Sequence, residues 1–155
     1  MIKIKSILYI SILSLIISCS SYEKYEKNKV FYNDPAIFHK SMQKLTDVIV
    51  YDIFSPPVAS RIYVYPTIAA YEILINQHPN FKSLSGVLKG LDRIPLPNPE
   101  LEYSFPLASI HAFLEVGKDL IFSEEKITDY QNKIMSELKE LGIPNDIYNR
   151  SINYG

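Results

Sequence analysis

Cysteine is almost absent from this chain: Cys19 is the only one in 155 residues, and tryptophan is missing altogether. A lone thiol cannot close an internal disulfide, so apolar packing alone has to hold the fold. A surplus of positive charge is missing too, since 16 basic residues face 17 acidic ones, and a chain without a basic face gives no reason to expect nucleic acid as a partner. No stretch alternates apolar and polar residues over the length of a strand, which excludes a sheet as the main element and points to an all-α fold. There is no internal repeat, no Gly-x-Ser-x-Gly elbow and no phosphate-cradling glycine loop. Leader, cap and packing roles account for Ser18, Ser55, Ser60 and Ser123.

What is present begins with a leader. Lys3 and Lys5 precede a hydrophobic run from Ile7 to Ile17, and the small residue Ser18 stands directly before Cys19. The run is too short for a comfortable membrane span, which needs roughly 20 apolar residues. The pattern resembles a bacterial lipoprotein signal peptide, with cleavage before Cys19 and lipid placed on its thiol. The expected organisation is therefore a leader over 1–18, a lipidated Cys19 with a flexible tether over 19–32, and one helical domain over 33–155. The tether is expected because Lys24, Lys27 and Lys29 interleave with Glu23 and Glu26 and bury little. The leader removes two lysines and no acid, so the exported chain is modestly acidic.

About five helices are expected in the domain, packed as an irregular bundle. Asn33 or Asp34 can cap the first, with Pro35 in its opening turn and Phe38, Met42, Leu45 and Ile49 as its apolar stripe. Ser55 starts the second, which runs through Ile73 with Pro66 inside it, where a kink is expected. Leu84 to Leu91 reads as a brief helix, ahead of the bend made by Pro95, Pro97 and Pro99. A third helix from Pro106 to Phe122 buries Leu107, Ile110 and Leu114; a fourth is capped by Ser123 and stopped by Gly142 and Pro144. A fifth starts at Asn145 or Asp146.

Candidate chemistry is sparse. Arg61 and Glu72 lie about three turns apart on one helix face, and with Asp47 and Asp52 they are expected to form a structural charge network where helices cross. Replacing Arg61 with Met should then lower stability. His111 and Glu115 are four apart on a helix and could offer two metal ligands, but zinc sites want three or four, and His39 and His78 show no telling spacing. No metal site and no catalytic residue is therefore assigned. Tyr63, Tyr65 and Tyr71 read as packing residues.

The segment LTDVIVYDIFSPPVASRIYVYPTIAAYEI, Leu45 to Ile73, closely resembles the N-terminal helical region of bacterial vanadium-dependent haloperoxidases, relatives of the type 2 phosphatidic acid phosphatases. SFPLASIHAF at Ser104 to Phe113 and LIFSEEKI at Leu120 to Ile127 fit the same region. The resemblance implies a parent that oxidises halide with peroxide, or hydrolyses a phosphate ester, around a bound vanadate or phosphate. Such enzymes hold that oxyanion with a lysine, an Arg-Pro pair, a Ser-Gly-His segment and a later arginine and histidine. This chain has no Arg-Pro pair, and Ser85-Gly86 is followed by Val87, so no binding or catalytic residue carries over. The chain is expected to be the N-terminal part of such a protein, inactive by itself, cut short before the catalytic motifs. Its partners would be the membrane through the lipid, and either the missing catalytic region or a second copy. The alternative is a complete, non-catalytic helical lipoprotein that binds a partner.

Overall fold

The computed structural model describes residues 22–155, and these form six helices with no strand among them. In chain order they are α1 (22–32), α2 (Pro35–Tyr51), α3 (Pro56–Leu74), α4 (Phe105–Lys118), α5 (Glu124–Glu140) and α6 (Asn145–Tyr154), with a single 3-10 turn, Ile75–Gln77, extending α3. The all-α expectation is met. Cys19 and the leader 1–18 lie outside the described residues. No helix among those described is long and apolar enough to cross a membrane.

The arrangement follows from α4. Leu107, Ala108, Ile110, Ala112, Phe113 and Leu114 give this helix a broad buried apolar face, and only the narrow stripe of His111, Glu115 and Lys118 is polar, so other helices pack around most of it. It packs against α2, α3, α5 and α6, and Phe113 is completely buried. At Gly117 α4 meets both α2 and α3: a Cβ there would be in ordinary contact with Leu45 Cδ1 at 3.4 Å and Pro66 Cγ at 3.7 Å. Pro66 is itself buried, and α3 continues through it without a break in the helix.

Helix starts correct the reading in detail. Asp34 caps α2 by accepting from the Ala36 N–H at 2.9 Å, with Pro35 in the first turn. Ser55 and Ser123 make no side-chain cap on their own helices. The segment 84–91 forms turns and no helix, and α4 stops at Lys118, short of Phe122.

The largest departure is the segment 22–32. Read as a flexible tether, it is a docked helix with Tyr25 and Tyr32 buried and their rings in edge contact at 5.4 Å. Its side chains at i, i+4 and i+8 serve the far end of α5. Lys24 Nζ donates to the Glu140 carbonyl at 2.8 Å, Asn28 Nδ2 to Leu141 at 2.6 Å and the Tyr32 hydroxyl to Leu138 at 2.7 Å. A helix C-terminus leaves its last carbonyls without intrahelical partners, and α1 supplies the donors. Polar composition hid this, because the value of those donors depends on carbonyls more than a hundred residues away in the sequence.

Two outcomes follow for this docking. Gly142 adopts φ +102, and a Cβ there would meet Lys24 Cδ at 2.7 Å. Gly142→Ala is therefore expected to cost about 1–3 kcal/mol in urea unfolding; an unchanged midpoint would contradict the close contact with α1. Burial above all, opposed by a hydrogen bond from the Ile143 backbone, pushes the Tyr32 hydroxyl up to about 12. An unfolded tyrosine ionises near pH 10. The stability from Tyr32 is thus complete below that pH and falls as pH rises toward 12, so Tyr32→Phe should flatten this part of the alkaline stability profile.

Candidate functional site

The four charged residues expected to form one network take separate roles. Asp47 is exposed and accepts from Gln43 Nε2 at 2.9 Å, within its own helix. Asp52, at the end of α2, accepts from the N–H groups of Phe122 and Ser123 at 2.9 and 3.0 Å and from the Ser123 hydroxyl at 2.6 Å. It thereby ties the end of α2 to the entry of α5. Burial works to raise its pKa, but the hydrogen bonds from Ser123 and Phe122 prevail and hold the carboxyl below its ordinary value.

Glu72 is buried, and neutral donors satisfy both its oxygens: the Ser83 hydroxyl and the Leu84 N–H, each at 2.7 Å. With the Tyr71 hydroxyl on the Lys82 carbonyl at 2.8 Å, it fastens the loop after α3 to that helix. Arg61 is exposed, and among the described residues no ion pair joins it to Asp47, Asp52 or Glu72. The reason is distance and cover. Glu72 lies 11 residues, roughly 16 Å, further along α3, where the Ser83–Leu84 loop takes both its oxygens, and Arg61 at the other end stays in water.

His111 and Glu115 do meet on α4, with Nε2 and Oε1 3.9 Å apart. Glu115 is already engaged by Lys118 Nζ at 2.7 Å and Gln131 Nε2 at 2.8 Å. Burial lowers the His111 pKa; Glu115 pulls it up, Lys118 pushes it down, and the net shift is downward, so the ring is neutral at pH 7. Its Nδ1 is buried without a hydrogen-bond partner. Among the described residues no group of three or more metal-ligating side chains exists, and this pair alone makes no metal centre. The fold also brings His39 and His78 to one cavity of about 460 Å3, beside Asp34 at the start of α2. Their distance in sequence concealed that proximity.

An apolar groove of about 450 Å3 lies between α3 and α4. Ile68, Ala69 and Ile73 of α3 and Val116 of α4 line it, Leu91 and Ile94 overhang it, and Tyr154 of α6 stands at one side. The Tyr154 hydroxyl donates to the Pro95 carbonyl at 3.2 Å and holds the overhang to α6. Glu72 borders the groove with its oxygens already spent, so the cleft offers apolar contact and no proton-transfer pair. A second apolar patch lies where α2 turns into α3. Val50, Tyr51 and Ile53 are exposed there, Phe54 stacks on exposed Phe122 at 4.7 Å, and Ile53 is held at φ 57, a left-handed conformation that β-branched residues rarely adopt.

Vanadate, the group implied by the resemblance, needs cations and donors that converge on an oxyanion. Among the described residues no such set is assembled. Arg61 and Arg93 are exposed, Arg150 is engaged by the Glu102 carbonyl and Asp146, and Lys118 is bonded to Glu115. The residues described here do not fit that group.

These roles separate two substitutions. Asp52→Asn loses charge-assisted acceptance at the α5 entry and is expected to cost about 1–2 kcal/mol at pH 7. Because the folded pKa is depressed, the contribution of Asp52 is present above the ordinary carboxylate range and lost as pH falls through the lowered value, so the difference between wild type and variant should shrink in acid. Arg61→Met is expected to change stability by no more than about 0.5 kcal/mol, as for a surface residue. A larger loss for Arg61→Met than for Asp52→Asn, in thermal melts of both, would restore the network.

No family model matches this chain, and no curated protein does. A solved structure is similar to it: the crystal structure of the first bacterial vanadium-dependent iodoperoxidase shares 36% sequence identity, covers 77% of this chain and superposes with a TM-score of 0.72. The chain spans 28% of the length of that protein. The relationship read from Leu45 to Ile73 is thereby supported, and the helices described above are similar in sequence and arrangement to a part of a vanadium haloperoxidase.

Proposed function

We propose that this chain is the N-terminal helical part of an exported vanadium-dependent haloperoxidase-like protein, anchored to the bacterial envelope by lipid on Cys19. The observation that carries the reading is the likeness to an iodoperoxidase over most of this chain but only 28% of that protein. The parent reaction is peroxide-dependent halide oxidation, or phosphate-ester hydrolysis in a phosphatase relative. Vanadate would be held by residues outside those described, and the chain alone is inactive. Its contribution is a helical layer whose apolar groove and Tyr51–Phe54 patch are covered by the catalytic region, or by a second copy when that region is missing. The leader pattern before Cys19 supports the export and anchor.

A second reading, a non-catalytic helical lipoprotein that binds a partner, is favoured by one observation, the open apolar groove of about 450 Å3. The source DNA beyond codon 155 discriminates the two. An Arg-Pro segment, a Ser-Gly-His segment and a later arginine and histidine are expected in one of its three frames; a stop followed by nothing related would leave the binding module. The purified chain is expected to take up no vanadate in calorimetric titration and to oxidise no iodide with peroxide. Turnover of iodide by this chain would overturn the scaffold assignment.

A further inference from the structure

The docking of α1 bears directly on the anchor. A lipoprotein with a flexible tether over 19–32 would let its domain wander far from the bilayer. The structure removes that slack. The described part of α1 starts at Tyr22, and in the sequence only Ser20 and Ser21 lie between it and Cys19. Three residue steps of fully extended chain reach about 11 Å. The helix that follows is fastened to the body by Lys24, Asn28 and Tyr32 on the carbonyls of α5 and by two buried tyrosines.

We propose that the folded body stands directly on the bilayer, with the start of α1 and the C-terminal end of α5 as its membrane-facing end. This rests on the lipid reading of Cys19. The Lys24 side chain touches Glu140, so the end of α5 shares the position of the first turn of α1. Glu102 joins them, accepting from the Tyr22 hydroxyl at 3.3 Å, and Tyr22 and Leu101 keep 45% and 44% of their surface exposed at this edge. An exposed tyrosine and leucine suit the boundary between headgroups and acyl chains. Charge does not drive the contact, because Lys24, Lys27 and Lys29 are matched there by Glu23, Glu26, Glu102 and Glu140. The standing is mechanical: a lipid, a very short connection and a docked helix. Anionic lipid is not required.

The far end of α5 is the internal reference. Its 17 residues place Glu124 about 25 Å along the helix from Glu140. Lipid occupies the thiol of Cys19, the only native cysteine, so an introduced cysteine is a unique labelling site. The experiment expresses the full chain with its leader in a bacterial host, as Glu140→Cys and separately as Glu124→Cys. Each carries a fluorophore and is reconstituted in phosphatidylcholine vesicles containing headgroup-nitroxide lipid. Stronger quenching at position 140 than at 124 is expected. Inserting eight Gly/Ser residues between Ser21 and Tyr22 should abolish the difference. Equal quenching at both sites, or a difference that survives the insertion, overturns the apposition. A protein whose mass shows no lipid, and that does not float with vesicles, overturns the anchor reading and the apposition with it. A lipidated protein without the difference overturns the apposition alone.

Discussion

Burial of most of α4 is the constraint on which the other helices depend. With Leu107 and Leu114 on one face and Ala108, Ala112 and Phe113 buried beside it, this helix cannot lie on a surface, so α2, α3, α5 and α6 arrange themselves around it. Each fully buried aliphatic or aromatic side chain contributes roughly 1.5–3 kcal/mol, so this one helix accounts for a large share of the driving force. The surrounding helices then cross in pairs at their ends. At those crossings backbone groups lose water, and polar side chains become valuable.

Three polar fastenings show the same physics. Asp52 receives the N–H groups where α5 begins, α1 donates to carbonyls where α5 ends, and Glu72 receives an N–H and a hydroxyl from the loop after α3. In each case a side chain from one element bonds backbone groups of another and ties the two together. None of the three is an ion pair. Of the charges singled out in the sequence, Asp52 and Glu72 act separately, each on backbone and hydroxyl donors, while Asp47 and Arg61 are exposed.

The apolar surfaces left over give the chain its functional direction. The groove between α3 and α4 and the patch around Ile53 offer contact area without a proton-transfer pair or a converging set of cations. They accompany a similarity that spans 28% of a much longer iodoperoxidase. Docking of α1 adds a fixed point: the first described turn of α1 and the C-terminal end of α5 lie together.

The helices of the domain were legible because their signals are local. Pro35 after Asp34, the stripe of Leu45 and Ile49, the paired prolines at 56 and 57, and the stop at Gly142 and Pro144 act within one or two turns, so the sequence determines them alone. The resemblance of Leu45 to Ile73 was likewise a property of the string. What only the tertiary structure decided depends on partners distant in the chain. Residues 22–32 become a helix because carbonyls at the end of α5 accept their donors, Ser123 gives its hydroxyl to Asp52 instead of capping α5, and Glu72 is buried while Arg61 on the same face stays in water because the loop after α3 folds over Glu72. A hydrogen bond or a buried face has value only when its partner is in place, and the position of that partner is a result of folding.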